Sequence, residues 1–353
     1  MSCLHDAIYV GTYTSRESAG IYRLTFDGER GGLGAPELVA RAPNPSFVLP
    51  KPGGKLLYAV NELWEFEGRP GGGVTAFLIR DDGSLEEIGS ECTHGGDPCH
   101  IAFDATGRFL LVSNFTGGSL CVLPLRDDGS VEQASDVIEH RGQGHHPRRQ
   151  SEPHLHSVAV SPGGLVIVAD LGTDRLVVYR LDTVRGALER VNECATAPGA
   201  GPRHMAFSGD GHLLFVSNEL DSTIASYRWD EATGGLTPHS AVAAAPGRAE
   251  ENSPAHVVAQ PGGRWLFASN RGHDSIATFA SDAAGALERV ATAPSGGKKP
   301  RGFSIDGSGR WLVAANQDTD SLVSFAIDEG TGALSQQGAG VRAPSPVWVA
   351  FSA

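Results

Sequence analysis

Residues Gly201–Leu220 read GPRHMAFSGDGHLLFVSNEL. The run predicts a short strand over Arg203–Ser208, a tight turn at Gly209-Asp210-Gly211 and a second strand over Leu213–Asn218. The turn residues tolerate the positive φ that a sharp reversal needs, and the flanking runs are β-branched and aromatic. Versions of this unit recur along the whole chain. Aligning on the residue that closes the second strand gives Gly11, Asn61, Asn114, Asp170, Asn218, Asn270 and Asn316, spaced 46 to 56 residues apart. Seven residues before an anchor stands a turn glycine, at Gly54, Gly107, Gly163, Gly211, Gly263 and Gly309.

A third strand follows each anchor, as at Ser119–Leu125, Arg175–Leu181, Thr223–Trp229, Ser275–Ala280 and Ser321–Ile327. A fourth follows a Gly-containing turn, as in DDGSLEEI, DDGSVEQA, RGALERV and AGALERV. Four antiparallel strands repeated seven times predict an all-β, seven-bladed β-propeller, one domain over residues 1–353. Gly11 is preceded by one strand where other anchors have two. The missing strand is expected at Ser345–Ser352 (SPVWVAFS), innermost in the blade of residues 6–41, closing the ring and removing open sheet edges.

Bulk properties exclude several partners. A net charge of −13 argues against nucleic acid and against anionic membrane surfaces. No apolar run reaches the length of a membrane span. The opening MSCLHDAIYVGTY lacks a basic-then-apolar pattern, which predicts no secretory signal. Five scattered cysteines (Cys3, Cys92, Cys99, Cys121, Cys194) form no CxxC pair and read as reduced thiols, so the expected location is cytoplasmic. GRPGGG (Gly68–Gly73) has no helix after it, which excludes a dinucleotide loop, and no GxSxG elbow marks a serine hydrolase.

The chemistry recurs with the fold. Seven residues before each turn glycine stand Phe47, His100, His156, His204, His256 and Gly302, four of six being histidine. First strands line a propeller's channel, so these side chains are expected at one mouth of it. A repeated histidine serves equally as an inter-blade hydrogen-bonding group, and both readings stand at this point. His154 and His156 lie two apart on one strand, with no carboxylate cluster at ligand spacing, so neither a metal nor a cofactor is expected. Glu62, Glu219, Arg271 and Gln317 directly follow anchors, and Arg203 and Arg301 precede the register residues His204 and Gly302. Converging guanidiniums suit a carboxylate or phosphate. Three polar insertions interrupt the repeat, at 62–72, 140–153 (HRGQGHHPRRQSEP) and 246–254, and such loops often carry function.

The motifs IYVGTYT (Ile8–Thr14), PHLH (Pro153–His156), GPRH (Gly201–His204), SNE (Ser217–Glu219), SNRGHDSI (Ser269–Ile276), PRGF (Pro300–Phe303) and AANQDTDSL (Ala314–Leu322) resemble the lactonase family of seven-bladed propellers. That family includes bacterial 6-phosphogluconolactonases and a fungal 3-carboxy-cis,cis-muconate cyclase. The resemblance spans essentially the whole chain and implies an anionic lactone as small-molecule partner. It implies a site on a histidine of the PHLH motif, with His156 taken as the catalytic one, and on Arg203, Glu219 and Arg271; the repeat register adds His154, His204, His100, His256, Arg301 and Gln317 as expected substrate-binding residues. Hydrolysis of 6-phosphogluconolactone is the expected reaction. Lactonizing cycloisomerisation by the same residues, or a propeller that only displays a binding surface, are the alternatives.

Overall fold

The computed structural model describes residues 7–247 and 251–352. Cys3, residue 6 of the first blade and residues 248–250 of the 246–254 insertion lie outside them. Seven antiparallel sheets follow one another in chain order around a ring. The opening stretch forms Pro202–Phe207 and Leu213–Asn218, and its blade is completed by Thr223–Asp230 and Gly235–Ala243. The reversal is made by Gly211 at φ 73°, in the left-handed region open to glycine. Blades two, four and six place the positive φ one residue from the repeat register, at Gly53, Gly164 and Gly262. A 3-10 turn spans Gln317–Thr319.

Ring closure follows the expected route. Pro346–Phe351 pairs antiparallel with Ala7–Thr12, which pairs with Gly20–Asp27. The polypeptide ends are thereby tied into one blade.

Burial differs by strand position. Second strands such as Leu213–Asn218 and Leu165–Asp170 are buried throughout, because both faces meet a neighbouring blade. Their side chains therefore form an unbroken apolar run: Leu165, Ile167 and Ala169 pack with Leu214, Val216 and Tyr227 of the next blade. Outer strands such as Gly235–Ala243 lie largely at the surface and carry polar residues.

The anchor residues are structural pins. Asn61, Asn114, Asn270 and Asn316 are fully buried, and each side-chain amide donates to the carbonyl of Pro43, Thr93, Ala244 or Ser295 at 3.0–3.2 Å. Those carbonyls lie in the connections that lead into each blade, where buried backbone groups would otherwise lack partners. Asp170 replaces Asn in blade four and accepts from the His154 and Gly172 amides, both at 3.0 Å.

Candidate active site

Six of the seven innermost strands break their ladder near the start, the exception being Val48–Pro50. The pairing register skips Cys99, His156, Arg203, Arg301 and Val347, and skips Ala255 together with His256. A β-bulge turns two consecutive residues toward the same side, where regular alternation would send one away. Arg203 with His204 and Val347 with Trp348 accordingly face one central cavity, which Ser46 and Phe47, just before Val48–Pro50, also line. The bulge is the device by which an ordinary strand presents a doubled set of side chains to the axis.

The two resulting layers differ. In the inner layer, the His204 ring lies 5.2 Å from His100, 5.2 Å from His156 and 5.1 Å from His256, centroid to centroid. Trp348 packs 4.0 Å from Phe47 and 4.5 Å from His256. Its ring covers Gly302, where a Cβ would stand 2.9 Å from the Trp348 ring and 2.6 Å from the Val347 carbonyl. Burial pushes His100 and His256 down to about 3, Arg203 adding to the effect on both. Burial, then Arg203, likewise holds His156 and His204 well below the usual imidazole range. All four rings are neutral at pH 7. His156 and His204 line the cavity; His100 and His256 sit behind them, the latter with Nδ1 3.0 Å from the Phe303 carbonyl.

The outer layer carries the charge. Glu219 Oε2 accepts from Arg203 Nε at 2.9 Å and from an Arg271 terminal nitrogen at 2.6 Å. Its Oε1 accepts from Arg149 at 2.5 Å. Burial alone would raise the Glu219 carboxyl, but Arg271 and Arg203 hold it well below the carboxylate range. Arg203 is 1% exposed and also donates to the Ala255 carbonyl at 2.8 Å. Burial lowers it to about 9, with Arg271 and Arg301 adding like-charge repulsion. Arg271 is held in turn by the Ser253 and Pro254 carbonyls.

On the opposite wall, Glu62 accepts from the Tyr13 hydroxyl at 2.8 Å and from Ser46 Oγ. Arg301 lies over the Tyr13 ring at 5.2 Å, and its guanidinium makes no hydrogen bond among the described residues. Burial disfavours its charge, but Tyr13 and Glu62 nearby more than offset that and raise it.

The central cavity is lined by Ser46, Glu62, Cys99, Arg203, Arg301 and Val347 together with the rings of Phe47, His156, His204 and Trp348. It encloses about 10 Å³, room for roughly one water. Anything larger sits over it at the channel mouth.

Of the residues singled out in the sequence, His156, Arg203, Glu219, Arg271 and Arg301 come together, with His204 beneath them. His154 lies to one side, stacked on Phe115 at 4.4 Å with Nδ1 3.1 Å from its carbonyl. Gln317 sits in the 3-10 turn, where its backbone carbonyl accepts from Arg16. Tyr13, Trp348 and Arg149 escaped the sequence reading. Pro346-Val347-Trp348 matches Pro98-Cys99-His100 and Pro202-Arg203-His204, so the repeat held a signal for Trp348. Tyr13 and Arg149 stand outside the repeated positions and had none. No group of three or more metal-binding side chains occurs among the described residues.

Comparison with known proteins agrees with this architecture. The family model for the seven-bladed β-propeller lactonases matches residues 7–351. A Bacillus subtilis 6-phosphogluconolactonase is 34% identical over 347 residues, 97% of each chain. A Formosa agariphila 6-phosphogluconolactonase is 31% identical over 310 residues, covering 85% of this chain and 86% of that one. The solved structure of a Pseudomonas aeruginosa periplasmic gluconolactonase superimposes with a TM-score of 0.92 at 33% identity, over 99% of both chains. With a family model spanning the propeller and full-length relatives above 30% identity, the chain belongs to the seven-bladed β-propeller lactonase family.

Proposed function

We propose that this lactonase-family enzyme opens the ring ester of a sugar lactone by water attack at the channel mouth, with 6-phosphogluconolactone as its substrate. One observation carries the reading. A neutral imidazole, a buried guanidinium held by a carboxylate and a second guanidinium without hydrogen bonds converge on a space the size of one water. The names of the Bacillus subtilis and Formosa agariphila relatives support the substrate class.

The lactone sits over the cavity with its carbonyl toward Arg301 and Arg203. His156, unprotonated at neutral pH, takes a proton from the enclosed water as the water oxygen bonds to the carbonyl carbon. The oxyanion that forms is neutralised by the two guanidiniums, positioned before the charge appears. When the tetrahedral intermediate collapses, the bond from carbonyl carbon to ring oxygen breaks. The ring oxygen leaves with the proton from His156, giving the open hydroxy acid. Glu219 stabilises the transient imidazolium and fixes Arg203, while Arg271, tied to two carbonyls, fixes Glu219. We place the enzyme in the cytoplasm, the expectation drawn from its cysteines.

The test is proton release, or the ester signal in NMR, from freshly prepared 6-phosphoglucono-δ-lactone, measured against spontaneous opening. A rate above background that falls to background in Arg203→Ala supports the proposal. A wild-type rate equal to background in a folded sample rejects it.

A further inference from the structure

The insertion at 140–150 is a pinned strap over the channel mouth. At one end His140 is buried between Asp170, with Nδ1 2.8 Å from Oδ2, and the Tyr179 hydroxyl, 2.7 Å from Nε2. At the other, Gln150 is 1% exposed and donates to the Leu171 carbonyl at 2.8 Å and to Asp174 at 2.6 Å. Between them the strap braces itself. Gln150 accepts from the His146 amide, and His146 Nδ1 accepts from the amides of Arg148 and Arg149. Arg149 is thus delivered on a fixed turn to Glu219.

A third cation on Glu219 is more than that carboxylate needs. Arg203 and Arg271 already satisfy Oε2 and are both tied to backbone carbonyls. Arg149 spends one donor on Oε1 and leaves its side chain 43% exposed. Guanidinium carries five donors in a rigid fork, so most of the fork faces the mouth unused. Lys299, two residues before Arg301, turns elsewhere: its ammonium lies 3.8 Å from Asp318.

We infer that Arg149 is a specificity-determining residue that binds the phosphomonoester group of the substrate at the mouth, while Arg301 meets the reacting ester below. The strap then sets the preference for phosphorylated over neutral lactones. This rests on the lactonase reading, so the test includes an arm independent of turnover.

Wild type, Arg149→Ala and Arg149→Lys are compared on 6-phosphogluconolactone and on gluconolactone, and by calorimetric titration with 6-phosphogluconate and gluconate. The expected result is that the ratio of kcat/KM values, phosphorylated over neutral, falls by roughly tenfold to a hundredfold in Arg149→Ala. Lys should recover part of it, and the ratio of affinities for the two acids should fall in parallel. An unchanged ratio in both arms overturns the assignment, as does a wild type that binds the two acids equally. If no variant turns over either lactone, the lactonase reading fails. The affinity ratio then still decides for or against Arg149.

Discussion

The two layers of the channel share one scaffold and behave oppositely. Six of the seven register residues, Phe47, His100, His156, His204, His256 and Trp348, are flat rings packed edge and face around the axis, and the seventh, Gly302, lies under Trp348. One position before the register stand Ser46, Cys99, Leu155, Arg203, Ala255, Arg301 and Val347, with little in common from blade to blade. Uniformity around the ring serves packing, since every blade faces the same axis. Asymmetry is what a single, non-symmetric substrate requires. In a repeat protein, the positions that depart from the repeat are therefore the better guide to chemistry. Of the four histidines in the ring, His156 and His204 also open onto the cavity.

The most damaging change strikes what the two layers share. Deleting residues 344–353 removes the innermost strand of blade one and Trp348, so the ring opens at its seam. Loss of the cooperative unfolding transition is expected, observable by circular dichroism on heating. A truncated chain that melts like wild type would show that closure contributes little.

Next comes the asymmetric layer. Glu219→Ala leaves Arg203 and Arg271 without their carboxylate, and removing one partner of a buried ion pair costs about 3–5 kcal/mol. Chemical denaturation should show that loss; a variant within about 1 kcal/mol of wild type would mean the network is solvated rather than buried.

Acid should separate the layers further. The folded-state values of His100 and His256 lie near 3, below the unfolded value of about 6.5. Their neutral packing therefore contributes fully above pH 6.5 and is lost progressively as pH falls toward 3. The slope is about 1.4 kcal/mol per pH unit for each histidine. Denaturation midpoints between pH 7.5 and 5 should fall with that sign, and less steeply in His100→Phe. The same depression leaves His156 unprotonated in mild acid, so catalysis above background should persist at pH 5.5. A fall in kcat/KM centred near 6.5 would remove His156 as the base.

The smallest effect belongs to the contact between Gly302 and Trp348. Gly302→Ala presses a Cβ against the Val347 carbonyl and the Trp348 ring, so the closing strand must shift, at a cost of about 1–3 kcal/mol. A lowered melting temperature is expected, with a smaller loss of turnover than any change to the charged groups.

The contrast also explains what the sequence could and could not reveal. Blade count, ring closure and the histidine register were legible because a repeat states the same constraint several times, as at Pro98-Cys99-His100 and Pro202-Arg203-His204. Arg203, Glu219, Arg271 and Arg301 were legible as charges at otherwise variable positions. The bulges were not, because no residue type marks them, so the equal inward facing of Arg203 and His204 had to come from the pairing. Arg149 lies in an insertion with no repeat to fix its place, and only the buried Gln150 and His140 show where the strap is tied. The separation of His100 and His256 from the cavity is set by ring packing against Phe47 and Trp348, which no alignment of blades supplies.

The central claim is that catalysis belongs to the cavity-facing groups and packing to the rings behind them. The most direct measurement is kcat/KM for 6-phosphogluconolactone at pH 7 in folded His156→Gln beside folded His100→Phe. The account predicts a loss of roughly a hundredfold or more for the first and a change within severalfold for the second. Equal losses, or a larger loss in His100→Phe, would contradict it.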